Sequence, residues 1–169
     1  MIFRQAENKD IDRIFEIIKQ AQEYLRQKGI DQWQDNYPNL DIIKNDIENK
    51  ECYVLQINDD IIATVVLSFK GEKSYNKIFE GKWILDKPYA VIHRIAVDNK
   101  YKGMRFSSVI MKHIENICLE KNIYSIRVDT HQDNESMVKM LNNNGFTYCG
   151  IIYLESGSRR IAFEKNLSI

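Results

Sequence analysis

No apolar run in this chain approaches the ~18 residues that a membrane-spanning helix requires. The 169 residues include three cysteines, two prolines and seven glycines, and 24 basic side chains are matched by 24 acidic ones. Each shortage excludes something. A formal net charge of zero argues against a dedicated nucleic-acid binder, which carries a basic excess or stripe. Cys52, Cys118 and Cys149 lie far apart with no CxxC pair, so they read as reduced thiols and not as a disulfide frame. The opening residues Met1 to Asn8 are too polar for a secretion signal. There is no GxxxxGK[ST] loop, no GxGxxG fingerprint and no HExxH pair, and His93, His113 and His131 share no metal-ligand spacing. The expectation is a soluble, cytoplasmic protein with no metal site and with neither membrane nor nucleic acid among its partners. No repeat, low-complexity tract or linker interrupts residues 1–169, so they read as a single domain.

The apolar pattern orders the elements. Ile2 to Gln5 reads as a short strand, and Ile14, Phe15, Ile18, Ala21 and Leu25 recur at helical spacing until Gly29. Gly29 to Pro38 reads as a loop, followed by a helix from about Leu40 to Asn49. Cys52–Ile57 and Ile61–Phe69 are β-branched and aromatic runs flanking Asn58-Asp59-Asp60, a hairpin signal. A polar connection, Lys70 to Pro88, leads to the strand Tyr89–Val97 and a helix. A strand Ser125–Thr130, a short helix near Asn134–Asn143 and strands Phe146–Leu154 and Arg159–Glu164 complete the chain. This order predicts an α/β fold of the α+β type, with a mixed, mostly antiparallel central sheet flanked by helices.

The most informative stretch runs from Val97 through Asp98-Asn99-Lys100-Tyr101-Lys102-Gly103-Met104-Arg105 to Phe106-Ser107-Ser108. A strand passes through a basic turn into a helix whose apolar stripe is Phe106, Val109, Ile110, Ile114 and Ile117. Such a junction presents unpaired backbone N–H groups and the positive end of a helix dipole to an anion. Lys100, Lys102 and Arg105 add charge, so the ligand chemistry it fits is a phosphate group. A solvated surface turn is the plainer alternative.

This turn and the segment Asn134-x-x-Met137-x-x-Met140-Leu141 to Gly145-Phe146 together resemble the GNAT acetyltransferase family over nearly the whole chain. The resemblance implies acetyl-CoA (coenzyme A) as cofactor, its pyrophosphate gripped at Lys102, Gly103, Met104, Arg105, Phe106, Ser107 and Ser108. It also implies pantetheine contacts from the main chain of Ile95, Ala96 and Val97 and from Asn134. Lys102 stands where the family has arginine or glutamine, and Arg105 where it has the first spaced glycine. N–H groups would still point inward if Arg105 were helical. Leu141 replaces the frequent tyrosine that protonates the leaving thiolate.

By the same resemblance, the function is N-acetyl transfer to an amine of a small molecule or peptide, by direct attack in a ternary complex. A non-catalytic acyl-CoA-binding sensor is the alternative. His93 alternates along its strand with Val91, Ile95 and Val97, and an ordinary pKa near ~6.5 suits a base acting on the amine. A core histidine hydrogen-bonded to backbone is the competing reading. Arg94, on the opposite face, reads as a carboxylate partner. Trp33, Tyr37 and Trp83 are either walls of an acceptor pocket or packing residues, and Tyr153, Glu155 and Arg159 flank the last hairpin. Met104, Met111, Met137 and Met140 read as helix packing. Exposed sheet edges could support a homodimer.

Overall fold

Asp10 organises the start of the chain: its carboxylate accepts two bonds from Arg4 (2.7 and 3.0 Å) and one from the Glu7 N–H. That knot joins strand β1 (Ile2–Gln5) to helix α1 (Ile11–Gln27), which turns Ile14, Ile17, Ile18 and Leu25 inward. The computed structural model describes residues 1–168 and comprises two compact units. Of the described residues, 1–67 and 93–113 form the first, and 68–92 and 114–168 the second.

In the first unit, β1 pairs antiparallel with β2 (Cys52–Ile57), and β2 with β3 (Asp60–Ser68) across a two-residue loop. Helix α2 (Leu40–Glu48) starts at Asn39, whose side chain accepts from the Ile42 N–H at 3.1 Å. Ile43 and Ile47 then join Ile14, Ile17, Ile18, Val54, Val66 and Ala96 in one core cluster. Each isoleucine or valine among them, fully buried, contributes roughly 1.5–3 kcal/mol before entropy is counted.

The second unit holds the start of β4 (Ala90–Val97), β5 (Ser125–Thr130), helix α4 (Glu135–Asn143), β6 (Thr147–Tyr153) and β7 (Arg159–Asn166). Helix α3 (Phe106–Glu120) runs from the first unit into the second. The β4–β5 ladder is parallel, at Ala90↔Ile126 and Val91↔Arg127, whereas β5–β7 and β7–β6 are antiparallel. Strand order is β1-β2-β3-β4-β5-β7-β6, a seven-stranded, mostly antiparallel sheet as the sequence predicts. The connection between β3 and β4 is stapled to β6, since Phe79 and Ile151 exchange N–H···O bonds of 2.8 Å. Gly81 is required there, because a Cβ at that position would stand 1.9 Å from the Cys149 carbonyl oxygen.

Glu164 is the polar centre of the second unit, with no exposed surface. Its carboxylate accepts from Ser125 Oγ at 2.5 Å, from the Leu85 N–H at 3.4 Å and from the Ile84 N–H, and it faces Arg127 Nε at 3.5 Å. The Arg127 guanidinium lies between the rings of Trp83 and Tyr89, 4.2 and 4.0 Å from their centroids. Trp83 is therefore a packing residue, and its Nε1–H bonds the Tyr75 carbonyl at 2.9 Å. All three cysteines are free and buried, and burial pushes the Cys52 and Cys149 thiols up to about 11 and Cys118 up to about 12. These are inert thiols.

All four helices end alike, with a residue at positive φ after the last turn and an N–H reaching five residues back. Gly29, Lys50, Asn122 and Gly145 occupy those positions, followed by bonds such as Phe146 N–H to Leu141 O at 3.1 Å. This is the Schellman arrangement, and glycine fills it without strain at Gly29 and Gly145.

Candidate active site

Strand β4 departs from extended geometry at Arg94, where φ is +47°. Strict alternation fails as a result: Val91 and Ile92 are both buried, and His93, Arg94 and Ile95 are all half-buried. A left-handed residue inserted in a strand changes which way successive side chains point. The face assigned to His93 by counting residues is therefore not a consequence of the strand. Arg94 does pair with a carboxylate, in a two-pronged contact with Asp46 at 2.8 and 2.7 Å, and its third nitrogen donates to Tyr37 Oη at 2.8 Å. Tyr37 is thus exposed but tethered, while Trp33 packs against the first unit's core.

His93 itself is depressed to about 4, chiefly by burial and then by the adjacent Arg94 charge. The expectation of an ordinary value near 6.5 is corrected. At neutral pH the imidazole is uncharged, able to accept a proton but holding it weakly.

Beyond Val97 the chain makes a short 3-10 turn at Asn99–Tyr101 and enters α3 at Phe106. Arg105 is not helical: its φ is +63°, beside Gly103 at +80°. The glycine-like conformation persists at this position even though the residue is arginine, and α3 begins one residue later. The Arg105 carbonyl accepts the first bonds of the helix, from Ser108 and Val109 at 3.1 and 3.4 Å. Within the turn, Met104 N–H bonds Tyr101 O at 3.4 Å. The N–H groups of Gly103, Arg105, Phe106 and Ser107 meet no protein acceptor among the described residues. Four donors therefore remain open of the six between Gly103 and Ser108.

The charges divide unequally. Arg105 is exposed at the turn. Lys102 instead sends its ammonium over the Tyr24 ring of α1, 4.5 Å from the centroid, where burial lowers its pKa. Lys102, like Arg105, is nonetheless an exposed residue of the turn. Lys100 stacks over Tyr101 at 5.5 Å. Met104 is 62 % exposed, so it is a surface residue of the turn and not helix packing, unlike the buried Met111.

Asp98, next to this basic turn, is 5 % exposed and points inward. Its carboxylate accepts from the Lys100 N–H (2.8 Å), Arg13 (2.9 Å) and Gln20 (3.0 Å). Sequence reading gave no role to these α1 residues, which are distant in the chain and follow no motif. The first unit thus unites His93, Ile95–Val97 and the turn.

In the second unit, Asn134 caps α4, its side chain accepting from the Met137 N–H at 3.2 Å, and Gly145 closes the helix at φ +80°. Leu141 has no exposed surface. Tyr148 is half exposed and meets Phe163 edge-on at 5.9 Å. Among the described residues no cluster of metal-ligating side chains occurs, and no helix is long and apolar enough to cross a membrane.

Comparison with known proteins follows the same lines. A GNAT-family acetyltransferase from Streptococcus agalactiae superposes with a TM-score of 0.90 at 30% identity, over 99% of this chain and 96% of that one. A Salmonella typhimurium acetyltransferase solved with its cofactor acetyl-CoA shares the fold, with a TM-score of 0.70 at 12% identity over 100% and 95% of the chains. In sequence, the S-(2-succino)cysteine N-acetyltransferase of Bacillus subtilis (strain 168) is 22% identical over 98% of this chain and 95% of its own length. The family model for GNAT acetyltransferases matches residues 12–146, a span that includes the basic turn and the α4 segment, and the chain therefore belongs to the GNAT acetyltransferase family.

Proposed function

We propose that the protein transfers an acetyl group from acetyl-CoA to an amine of a small molecule or peptide, by direct attack within a ternary complex. The observation that carries this reading is the turn between β4 and α3, with four open backbone donors, a helix N-terminus and the exposed Arg105 in a family of acetyltransferases. These groups fit a pyrophosphate, and the adjoining carboxylate, Asp98, is turned into Arg13 and Gln20. When bound, acetyl-CoA supplies the acetyl group as an activated thioester. In this reading Gly103, Arg105, Phe106 and Ser107 hold the pyrophosphate through N–H groups, and the main chain of Ile95, Ala96 and Val97 pairs with the pantetheine arm. One β4 N–H donates to the oxygen that gains charge during attack, a contribution of ~3 kcal/mol for a preorganised donor.

The amine must lose a proton before or during attack. His93, neutral at working pH, accepts it directly or through water. The Bacillus subtilis relative is named for acetylating a substituted cysteine, which supports including α-amino groups of modified amino acids among the acceptors. One observation favours a second reading, an acyl-CoA sensor without turnover: the buried Leu141 leaves α4 without a phenol at the family's acid position.

Thiol release from acetyl-CoA across a panel of amines decides between them. Amine-dependent release with any acceptor establishes transfer. Binding of acetyl-CoA with no release across the panel establishes the sensor.

A further inference from the structure

We propose that Gln20 on α1 is a positioning residue for the phosphate turn, acting with Arg13 through Asp98 to hold the turn's donors ready for the pyrophosphate. The inference rests on the acetyl-CoA reading above. Gln20 grips two consecutive residues: its Nε2 donates to Asp98 Oδ2 at 3.0 Å, and its Oε1 accepts from the Asn99 N–H at 2.7 Å. Arg13 donates to the same Asp98 oxygen at 2.9 Å and to the Ile61 carbonyl at 3.1 Å. The neighbouring Ile62 carbonyl accepts from the Asp98 N–H at 2.8 Å. Asp98 Oδ1 then takes the Lys100 N–H at 2.8 Å, and Tyr101 Oη donates to Asp60 at 3.3 Å. Four successive residues, Asp98 to Tyr101, are fixed immediately before the open donors begin at Gly103.

Two physical arguments make this more than scaffolding. Helix α1 is anchored by its apolar face, Ile14, Ile17 and Ile18 in the core cluster, so the half-exposed Gln20 is not needed to dock it. What Gln20 orders is a polar turn whose own apolar burial is small, and a turn left mobile would meet an ordering cost on every binding event. Charge is the second argument. A free carboxylate beside a phosphate site opposes anion binding; the three donors to Asp98 hold it inward, and of these Arg13 supplies the one positive charge against it.

The test compares wild type with Gln20→Ala and the near-isosteric Gln20→Met, using two donors: acetyl-CoA and S-acetylpantetheine, which lacks the pyrophosphate. Both variants are expected to raise KM and Kd for acetyl-CoA about five- to tenfold, the loss of one or two hydrogen bonds. Saturated kcat, acceptor KM and kcat/KM for S-acetylpantetheine should stay at wild-type values. Equal losses with both donors, or an unchanged Kd for acetyl-CoA, would overturn the proposal. Failure of wild type itself to bind acetyl-CoA would instead overturn the cofactor reading, so the two failures are distinguishable.

Discussion

Arg94 and Asp46 form a largely buried, two-pronged ion pair 48 residues apart in sequence, their side chains 15% and 5% exposed, linking the bend in β4 to helix α2. Asp46 is 3 % exposed, and its burial outweighs the attraction of Arg94, raising the carboxyl above its ordinary value. The guanidinium loses its main partner if Asp46 is truncated. Asp46→Ala should destabilise the protein by about 3–5 kcal/mol, because an uncompensated charge stays buried. Replacing both, Asp46→Ala with Arg94→Met, should cost much less than the sum of those two singles. Urea midpoints of the four proteins check this, and additivity would contradict it.

Arg105 occupies a left-handed conformation that costs a non-glycine residue roughly 1–2 kcal/mol. Arg105→Gly should therefore fold at least as stably as wild type, whereas Arg105→Val should fold less stably. In acetyl-CoA affinity, Arg105→Gly should lose only the contribution of the exposed charge, about 0.3–1 kcal/mol, because the backbone donors remain. Thermal unfolding and calorimetry of the two variants give both readings.

His93 titrates differently in the folded and unfolded chains, at about 4 and near 6.5. Between those values the unfolded chain takes up a proton that the folded protein refuses. The stability His93 confers is thus fully present above pH 6.5 and lost as pH falls towards 4. His93→Gln should flatten the fall in urea midpoint over that window. An undiminished slope in the variant would show that His93 is not the depressed group. In turnover, wild type should show no inflection near 6.5 from His93, and His93→Ala should lose about a hundredfold in rate.

Leu141 has no exposed surface within α4. Restoring the family's tyrosine by Leu141→Tyr should overpack this site and destabilise by about 1–3 kcal/mol. No gain in kcat is expected. An accelerated thiol release would mean that the phenol finds a path to the leaving sulfur.

Local chemistry was well marked in the sequence. Ile2–Gln5, Cys52–Ile57 and Ser125–Thr130 are strands at the limits their composition implies, and Gly29 and Gly145 mark their helix ends. The basic turn was legible because strand, glycine and helix lie within a few residues. Contacts between distant residues were not. Gln20 bonds Asp98 across 78 positions, and no periodicity or motif announces it. The positive φ of Arg94 was equally hidden, since a β-branched and apolar run reads as unbroken strand, and the Asp46 partner at the bend lies 48 residues away. Lys102 was read from its charge and from its place in the family motif, and only the proximity of Tyr24 shows where that charge goes.

The most direct test of the central claim is calorimetric titration of wild type with acetyl-CoA, alongside the double variant Lys102→Ala, Arg105→Ala. One-to-one binding of about micromolar affinity in wild type, weakened in the variant, is the predicted result. No heat of binding in wild type at millimolar acetyl-CoA would contradict the account of the turn as a cofactor site.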